Sequence, residues 1–207
     1  IISSNGGDTW GSFSLNAVDA DLRSIKMIDL NTGYAVGSSG SVWKTTNGGF
    51  DWTKYSGTTT EQAFNGVDFY NAQYGFTAGN NGEAWKTTDG GNTWTSLTGI
   101  IPNDYFNSVD MVSPTTVFVL GYAIYKTTDG GFNWTKITLN SNYSFWWSVD
   151  FIDNNTGWIG GLHNKLIKTT NGGKSWTELS VPGLLEIRSI KFLDANTGWV
   201  CGRTKWI

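Results

Sequence analysis

Residues 86–94 read Lys-Thr-Thr-Asp-Gly-Gly-Asn-Thr-Trp, and the rest of the chain is organised around copies of this nonapeptide. Close copies occupy residues 44–52, 126–134 and 168–176, and a shorter copy occupies residues 3–10. The short acidic side chain can accept hydrogen bonds from backbone N–H groups two residues further on and so hold a turn. The following glycine adopts backbone angles that other residues reach only with strain. The unit therefore predicts a β-hairpin turn with a structural role and no catalytic one.

Each turn combines an Asp or Asn acceptor with a tryptophan that we expect to be buried. The acceptors are Asn5, Asn47, Asp89, Asp129 and Asn171, and the tryptophans are Trp10, Trp52, Trp94, Trp134 and Trp176. This pattern resembles the Asp box, also called the bacterial neuraminidase repeat. In that family the box lies between the third and fourth strands of a propeller blade, away from the ligand face. Sialidases, sortilin-type receptors and many non-enzymes share it, so the resemblance implies a fold more than a function.

The spacing of the box tryptophans predicts a ring of five blades. They are 42, 42, 40 and 42 residues apart, and the 31 residues after Trp176 together with the first 10 give 41. A period of this length is typical of propellers and solenoids. Residues 202–207 followed by residues 1–7 also align without a gap with residues 37–49. The sequence thus predicts an all-β, five-bladed β-propeller with four antiparallel strands per blade, whose last blade is closed by the N-terminal strand. The alternative is a fragment of a larger propeller.

We interpret the whole chain, residues 1–207, as a single propeller domain. The predicted blades cover approximately residues 22–55, 64–97, 106–137, 146–179, and 187–207 together with 1–14. No segment has a sustained 3.6-residue apolar period, so essentially no helix is expected. Cys201 aligns with Val36 and Ala78 in a strand predicted to be buried, and we expect it to be a small core thiol.

A second motif recurs between the first two strands of each repeat, most clearly as Phe-Leu-Asp-Ala-Asn-Thr-Gly-Trp at residues 192–199. With the box, it resembles the photosystem II assembly-factor type of propeller repeat, and the resemblance runs through the whole chain. It implies a non-catalytic scaffold that binds other proteins, in a group that includes many exported bacterial proteins. The photosynthetic members have seven blades, so five repeats depart from their pattern.

The amino-acid composition argues against some classes of binding partner. The formal net charge is −3, and the 14 basic residues form no polybasic run, which argues against nucleic acid. No apolar run approaches membrane-spanning length, and one cysteine excludes an internal disulfide. We expect a monomeric domain without cofactor or metal, exported to the periplasm, the cell surface or the medium of a bacterium.

The loops opposite the boxes differ between repeats, which predicts that they form the ligand face. The position at the entrance of each inner strand is occupied by Arg23, Asn65, Asn107, Trp147 and Arg188. In a closed ring Arg23 and Arg188 would be neighbours and would suit an acidic side chain, a C-terminus or an acidic sugar. The favoured interpretation pairs them with Asp21 and Glu186, two residues earlier in each case.

An aromatic block lies beside these residues and comprises Tyr105, Phe106, Tyr143, Phe145, Trp146 and Trp147. We predict Phe106 and Trp146 to be interblade core, and Tyr105, Tyr143 and Trp147 to lie at the surface. Tyr122 and His163 are expected to line the same face. One layer deeper the inner strands carry Lys26, Asp68, Asp110, Asp150 and Lys191. These charges could hold a cation, but the favoured interpretation is Lys–Asp pairing with hydrogen bonds to the neighbouring blade's backbone.

The function predicted from these patterns is non-catalytic recognition of a protein or peptide on the loop face around the central channel. The alternative is a lectin-like module that binds a glycan through Trp147, Tyr105 and Tyr143. A glycoside hydrolase is a further alternative, but it needs two positioned carboxylates, and the entrance layer has none.

Overall fold

The structure, a computed structural model, describes residues 2–3, 5–11, 21–139 and 145–204. The strands of these residues form five antiparallel sheets, four with four strands and one with two. Consecutive strands are neighbours in every sheet, so each sheet is a simple meander. The all-β architecture predicted from the repeats is therefore confirmed.

The first three blades have the following strands. Blade one contains β1 (Leu22–Met27), β2 (Gly33–Gly37), β3 (Val42–Thr45) and β4 (Thr53–Tyr55). Blade two contains β5 (Phe64–Phe69), β6 (Gly75–Gly79), β7 (Ala84–Thr87) and β8 (Thr95–Ser96). Blade three contains β9 (Ser108–Met111), β10 (Val117–Leu120), β11 (Ile124–Thr127) and β12 (Thr135–Ile137).

The last two blades differ in size. Blade four contains β13 (Trp146–Phe151), β14 (Gly157–Gly161), β15 (Lys165–Thr169) and β16 (Thr177–Ser180), whereas blade five contains β17 (Leu184–Phe192) and β18 (Gly198–Thr204). The helical structure within the described ranges is one 3₁₀ turn, Asn80–Gly82. In this part of the chain no helix is long and apolar enough to cross a membrane.

The hydrophobic core lies between the blades. In blades one to four an aromatic residue of the second strand packs on the end of the next blade's first strand. Three such pairs stack closely: Tyr34 with Phe69 at 3.9 Å, Phe118 with Phe151 at 4.4 Å, and Trp158 with Phe192 at 3.7 Å between ring centroids. Complete burial of one such side chain stabilises a fold by roughly 1.5–3 kcal/mol. The repeat therefore joins blades by using the same positions each time.

The strand register defines two faces of the molecule. Leu22 at the start of β1 pairs with Gly37 at the end of β2, so the start of the inner strand and the β2–β3 loop lie at one edge of the blade. We call this edge, in all blades, the loop face. The β1–β2 turn and the box between β3 and β4 lie at the opposite edge, which we call the box face.

Blade five departs from the prediction of four strands closed by the N-terminal strand. Within the described residues β18 pairs only with β17, and Ile2 bridges Gly11. Cys201 is exposed, so the expectation of a core thiol was wrong, because none of the described residues forms a blade that covers this side of β18. Trp10 is also exposed, unlike the box tryptophan that the pattern predicted.

Candidate functional site

The boxes are hydrogen-bonded turns, as expected, but the acidic side chain accepts from a more distant backbone N–H group than we expected. In blade three, Asp129 Oδ1 accepts the backbone N–H of Asn133 at 2.9 Å, four residues further on and not two. Thr127 Oγ1 donates to Asp129 Oδ1 at 2.8 Å and accepts the N–H of Gly131 at 3.0 Å. Hydrogen bonds from the Asn133 side chain and backbone lower the pKa of Asp129 to about 2.

A lysine that sequence reasoning missed connects the boxes of blades two, three and four to the preceding blade. The lysine before the two threonines donates from Nζ to a box glycine carbonyl of the next blade, as Lys44 to Gly90 at 2.6 Å, Lys86 to Gly130 at 2.9 Å and Lys126 to Gly172 at 2.6 Å. The signal was present, since every complete nonapeptide begins with lysine. The box face is therefore occupied by contacts that hold blades together.

The charged layer of the inner strands forms the predicted ion pairs. Lys26 Nζ lies 2.6 Å from Asp68 Oδ1, and Lys191 Nζ lies 2.6 Å from Asp150 Oδ1. The three aspartates also accept a backbone N–H from the next blade: Asp68 from Met111 at 2.8 Å, Asp110 from Phe151 at 2.7 Å and Asp150 from Phe192 at 2.5 Å. The favoured structural interpretation of this layer is confirmed.

These charges line a cavity of about 320 Å³. Burial, reinforced by the negative charge of Asp68, raises the pKa of Asp110 well above its usual value. Burial alone would lower the pKa of Lys26, but its pairing with Asp68 raises it overall. The described residues contain no group of three or more His, Cys, Asp or Glu side chains suited to a metal ion.

At the entrance of the inner strands, polar side chains bond from blade to blade. Arg23 Nη1 donates to Asn65 Oδ1 at 2.7 Å, in place of the expected pairing with Asp21. Asn65 Nδ2 donates to the carbonyl of Phe106 at 2.6 Å, and Asn107 Nδ2 to that of Trp146 at 3.3 Å. Both asparagines therefore tie neighbouring blades together, and Arg23 remains exposed at the rim.

The loop face carries a continuous group of aromatic rings, which we call the aromatic cluster: Tyr105, Tyr122, Phe145 and Trp147. Phe145 is its centre, with ring centroids 4.9 Å from Tyr122, 4.4 Å from Trp147 and 6.2 Å from Tyr105. Tyr122 is 63% exposed and Tyr105 is also exposed, so the cluster presents apolar surface to solvent. Sequence reasoning placed Phe145 in the aromatic block but did not single it out as a site residue.

Arg188 extends the cluster with a positive charge. Its guanidinium lies 3.7 Å from the centroid of a Trp147 ring and donates to Glu186 Oε1 at 2.9 Å. The predicted pairing of Arg188 with Glu186 is thus confirmed. The side chain is still about half exposed, so one surface combines aromatic rings with a cation.

The remaining predicted residues have separate positions. Phe106 and Trp146 are buried between blades, as predicted. His163 is exposed in the turn between β14 and β15, with a left-handed φ of 58°. Tyr143 lies outside the described residues.

The meander sheets, the box turns and the interblade core define the class of this protein as a β-propeller. More particularly, its repeats are similar to those of photosystem II assembly factors and to the bacterial neuraminidase repeat. The family model of the photosynthesis system II assembly factor YCF48 matches residues 54–145. No curated protein matches the chain.

Solved structures share the fold at low sequence identity. A structure described as YCF48 bound to D1 peptide is 15% identical, with a TM-score of 0.53 over 93% of this chain and 97% of that one. The WD40 β-propeller domain of Doa1 is 14% identical, with a TM-score of 0.70 over 90% of this chain and 63% of that one. An ancestral GH74 enzyme is 17% identical, with a TM-score of 0.66 over 85% of this chain and 27% of that one. The chain therefore spans less than two thirds of the last two.

Proposed function

We propose that this protein is a non-catalytic binding propeller that recognises an extended peptide segment of a partner protein on its loop face. The observation that carries the proposal is the aromatic cluster with Arg188 beside it. Exposed aromatic rings and arginine are the residue types that dominate binding energy at protein interfaces. Loops that differ between blades on a rigid scaffold are where such sites occur.

The comparison with known proteins supports a peptide as the ligand class. The structure described as YCF48 bound to D1 peptide is a propeller complex with a peptide, and the family model that matches this chain is of that assembly factor. At 15% sequence identity this similarity supports a shared fold and does not extend to the binding-site residues. The partner of this chain is therefore proposed only as a peptide segment that offers apolar and acidic groups to the aromatic cluster and Arg188.

The state of the loop-face carboxylates supports a role without catalysis. Glu83 is buried and accepts hydrogen bonds from Trp85 Nε1 at 3.0 Å and Thr98 Oγ1 at 2.8 Å. Asp104 accepts the backbone N–H groups of Tyr122 and Ala123 in the loop between β10 and β11, and Glu186 is paired with Arg188. A glycoside hydrolase needs one carboxyl group as acid and another as base or nucleophile, and these three carboxylates are already engaged in structural contacts.

The proposal includes the finer architecture predicted from the sequence. Five blades would surround one axis, and the N-terminal strand would complete blade five as its third strand. We also propose an exported location, which the repeat type and composition favour. Expression with and without an export signal, followed by fractionation, tests the location independently of binding.

The binding site can be tested with a synthetic array of extended 12-residue peptides and a glycan array. We expect saturable binding to a subset of peptides, lost in Tyr122→Ala. Tyr70→Ala is the matched control, because Tyr70 is 49% exposed but lies on the box face. Equal loss in both variants, or no loss in either, contradicts the proposed site.

Saturable glycan binding lost in Trp147→Ala would support the lectin alternative, and hydrolysis of an aryl glycoside would overturn the non-catalytic assignment.

A further inference from the structure

The proposed function makes no use of the cavity of about 320 Å³ among the inner strands. Its walls include residues of β1, β5, β9, β13 and β17, so all five blades contribute to it. The last but one residue of each of these strands lines it: Lys26, Asp68, Asp110, Asp150 and Lys191. Because these strand ends adjoin the β1–β2 turn and its equivalents in the other blades, the cavity lies towards the box face.

The charges of the cavity walls are not balanced. Lys26 pairs with Asp68, and Lys191 pairs with Asp150, each at 2.6 Å between nitrogen and oxygen. Asp110 forms no ion pair within residues 2–3, 5–11, 21–139 and 145–204. One carboxylate of this layer is therefore left without a positive partner in the part of the chain that the structure describes.

The surroundings of Asp110 do not supply the missing positive charge. Its Oδ2 atom accepts the backbone N–H of Phe151 at 2.7 Å, and this hydrogen bond favours the ionised form. Burial and the negative charges of Asp68 and Asp150 act the other way and raise the pKa of Asp110, and Lys26 offsets them only in part. A further cation beside Asp110 would relieve this repulsion, so the electrostatics of the cavity favour a positively charged ligand.

The rim of the cavity suits a long basic side chain. Val112 and Ile152, which follow the ends of β9 and β13, line the cavity and are partly exposed. Lysine and arginine lay their methylene groups along apolar surface while the charged head reaches a polar partner. A metal ion fits less well, since the described residues bring no three His, Cys, Asp or Glu side chains together for one. An ammonium or guanidinium group needs only a carboxylate and neighbouring hydrogen-bond acceptors.

We propose that this cavity binds the side chain of a lysine or arginine of a partner protein, which enters from the box face. Its ammonium or guanidinium group pairs with Asp110, and its methylene groups pack against Val112 and Ile152. The ligand class differs from that of the loop face, where Arg188 suits an acidic group. The two sites lie at opposite ends of the inner strands, so this one does not rest on the proposed function.

An NMR titration that follows the backbone amide of Phe151, which donates to Asp110, tests the site directly. The probes are butylammonium chloride and butylguanidinium chloride, and sodium chloride at the same ionic strength is the control for screening. We expect a saturable shift of the amide signal with the organic cations and no saturable shift with sodium. The cation with the larger effect distinguishes lysine from arginine as the partner side chain. The Trp147 indole signal should stay in place, because it reports on the loop face.

Two variants with the same change of charge locate the effect. Asp110→Asn keeps an oxygen acceptor for the Phe151 N–H but removes the charge, and it should weaken binding by roughly tenfold or more. Asp194→Asn removes a carboxylate from a box-face turn that does not line the cavity, and it should leave binding unchanged. Amide spectra check that both variants fold.

The comparison of the organic cations with sodium needs no variant and decides the proposal by itself. A saturable shift with neither organic cation, or shifts of equal size with sodium, would overturn it. Unchanged binding in Asp110→Asn, or equal loss in Asp110→Asn and Asp194→Asn, would also overturn it. Because no peptide is used, these results are independent of whether the loop face binds one.

Discussion

The box face and the loop face are made by the same repeats but differ in how similar their residues are from blade to blade. On the box face a threonine and an Asp or Asn make the same contacts in blades one to four, and a lysine makes the same contact in the first three, as with Thr127, Asp129 and Lys126 in blade three. On the loop face the equivalent positions carry arginine, asparagine or tryptophan, and one blade pair gathers the aromatic cluster. Repetition marks the contacts that build the scaffold, and divergence marks the surface that is available for a partner.

The largest effect is expected where the repeated core is broken. Phe118→Ala removes a side chain that is 1% exposed, stacks on Phe151 and meets Trp176 edge-on. Such a truncation costs about 3–5 kcal/mol of unfolding free energy, measured by urea denaturation. The matched control is Phe132→Ala, since Phe132 is exposed on the box face and should change stability by less than about 1 kcal/mol. Equal losses would contradict the interblade account of the core.

The box turn should contribute less than the core. Thr127→Val keeps the shape of the side chain but removes the hydroxyl that accepts the N–H of Gly131 at 3.0 Å. A buried N–H left without a partner costs about 1–3 kcal/mol. Thr135→Val, at an exposed position of β12, is the control and should be nearly neutral. A neutral Thr127→Val variant would mean that the turn is held by the acid alone.

The charged layer should produce a pH dependence of stability. The pKa of Asp110 is raised in the folded state by burial and by Asp68, so its contribution to stability is present below the pKa of the unfolded chain, about 3.9. That contribution is lost as pH rises through the folded-state pKa. Relative to wild type, Asp110→Asn should therefore become progressively more stable as pH rises above about 4, in urea titrations.

A substitution of Asp153 should change the pH dependence of stability in the opposite direction in the same urea titrations. Backbone hydrogen bonds from Asn155 and Thr156 lower its pKa, so its contribution is present above the unfolded-state pKa and lost as pH falls through the folded-state pKa. Asp153→Asn should thus lose stability relative to wild type above about pH 4, and this difference should disappear as pH falls through the lowered folded-state pKa. Parallel pH profiles for the two variants would contradict the assigned environments.

The smallest effect on stability is expected at the binding surface. Tyr122→Ala removes an exposed ring whose partner is Phe145, and the unfolding free energy should change by less than about 0.5 kcal/mol. The same variant should abolish peptide binding. A large loss of stability would place Tyr122 in the scaffold and would remove the separation between the two faces.

The sequence predicted the parts of the molecule that repeat. The spacing of the boxes predicted the positions of the blades along the chain. The alignment of the inner strands predicted that Phe106 and Trp146 lie in the core, where they are buried. Local turn chemistry was less predictable, because Asp129 reaches four residues along the chain and a pattern of residue types does not reveal that distance. The Lys126 contact was also missed, because its partner is in another blade.

The ends of the chain and the loop face were harder to predict, for a physical reason. Burial of Cys201 and Trp10 depends on whether another blade covers them, and a repeat pattern assumes that it does. Arg23 bonds Asn65 of the next blade and not Asp21, since loop conformations decide which polar groups meet. The completion of blade five by the N-terminal strand therefore stays a proposal.

The assignment of the loop face is tested most directly by the tryptophan indole N–H signals in a ¹H–¹⁵N NMR titration with a peptide selected on the array. Trp147 lies in the aromatic cluster, whereas Trp52 and Trp134 each donate from Nε1 to a box glycine carbonyl at 3.0 Å. We predict that the Trp147 signal shifts with saturable dependence on peptide concentration while the two box signals stay in place. Shifts of the Trp52 and Trp134 signals with Trp147 unchanged would contradict the assignment.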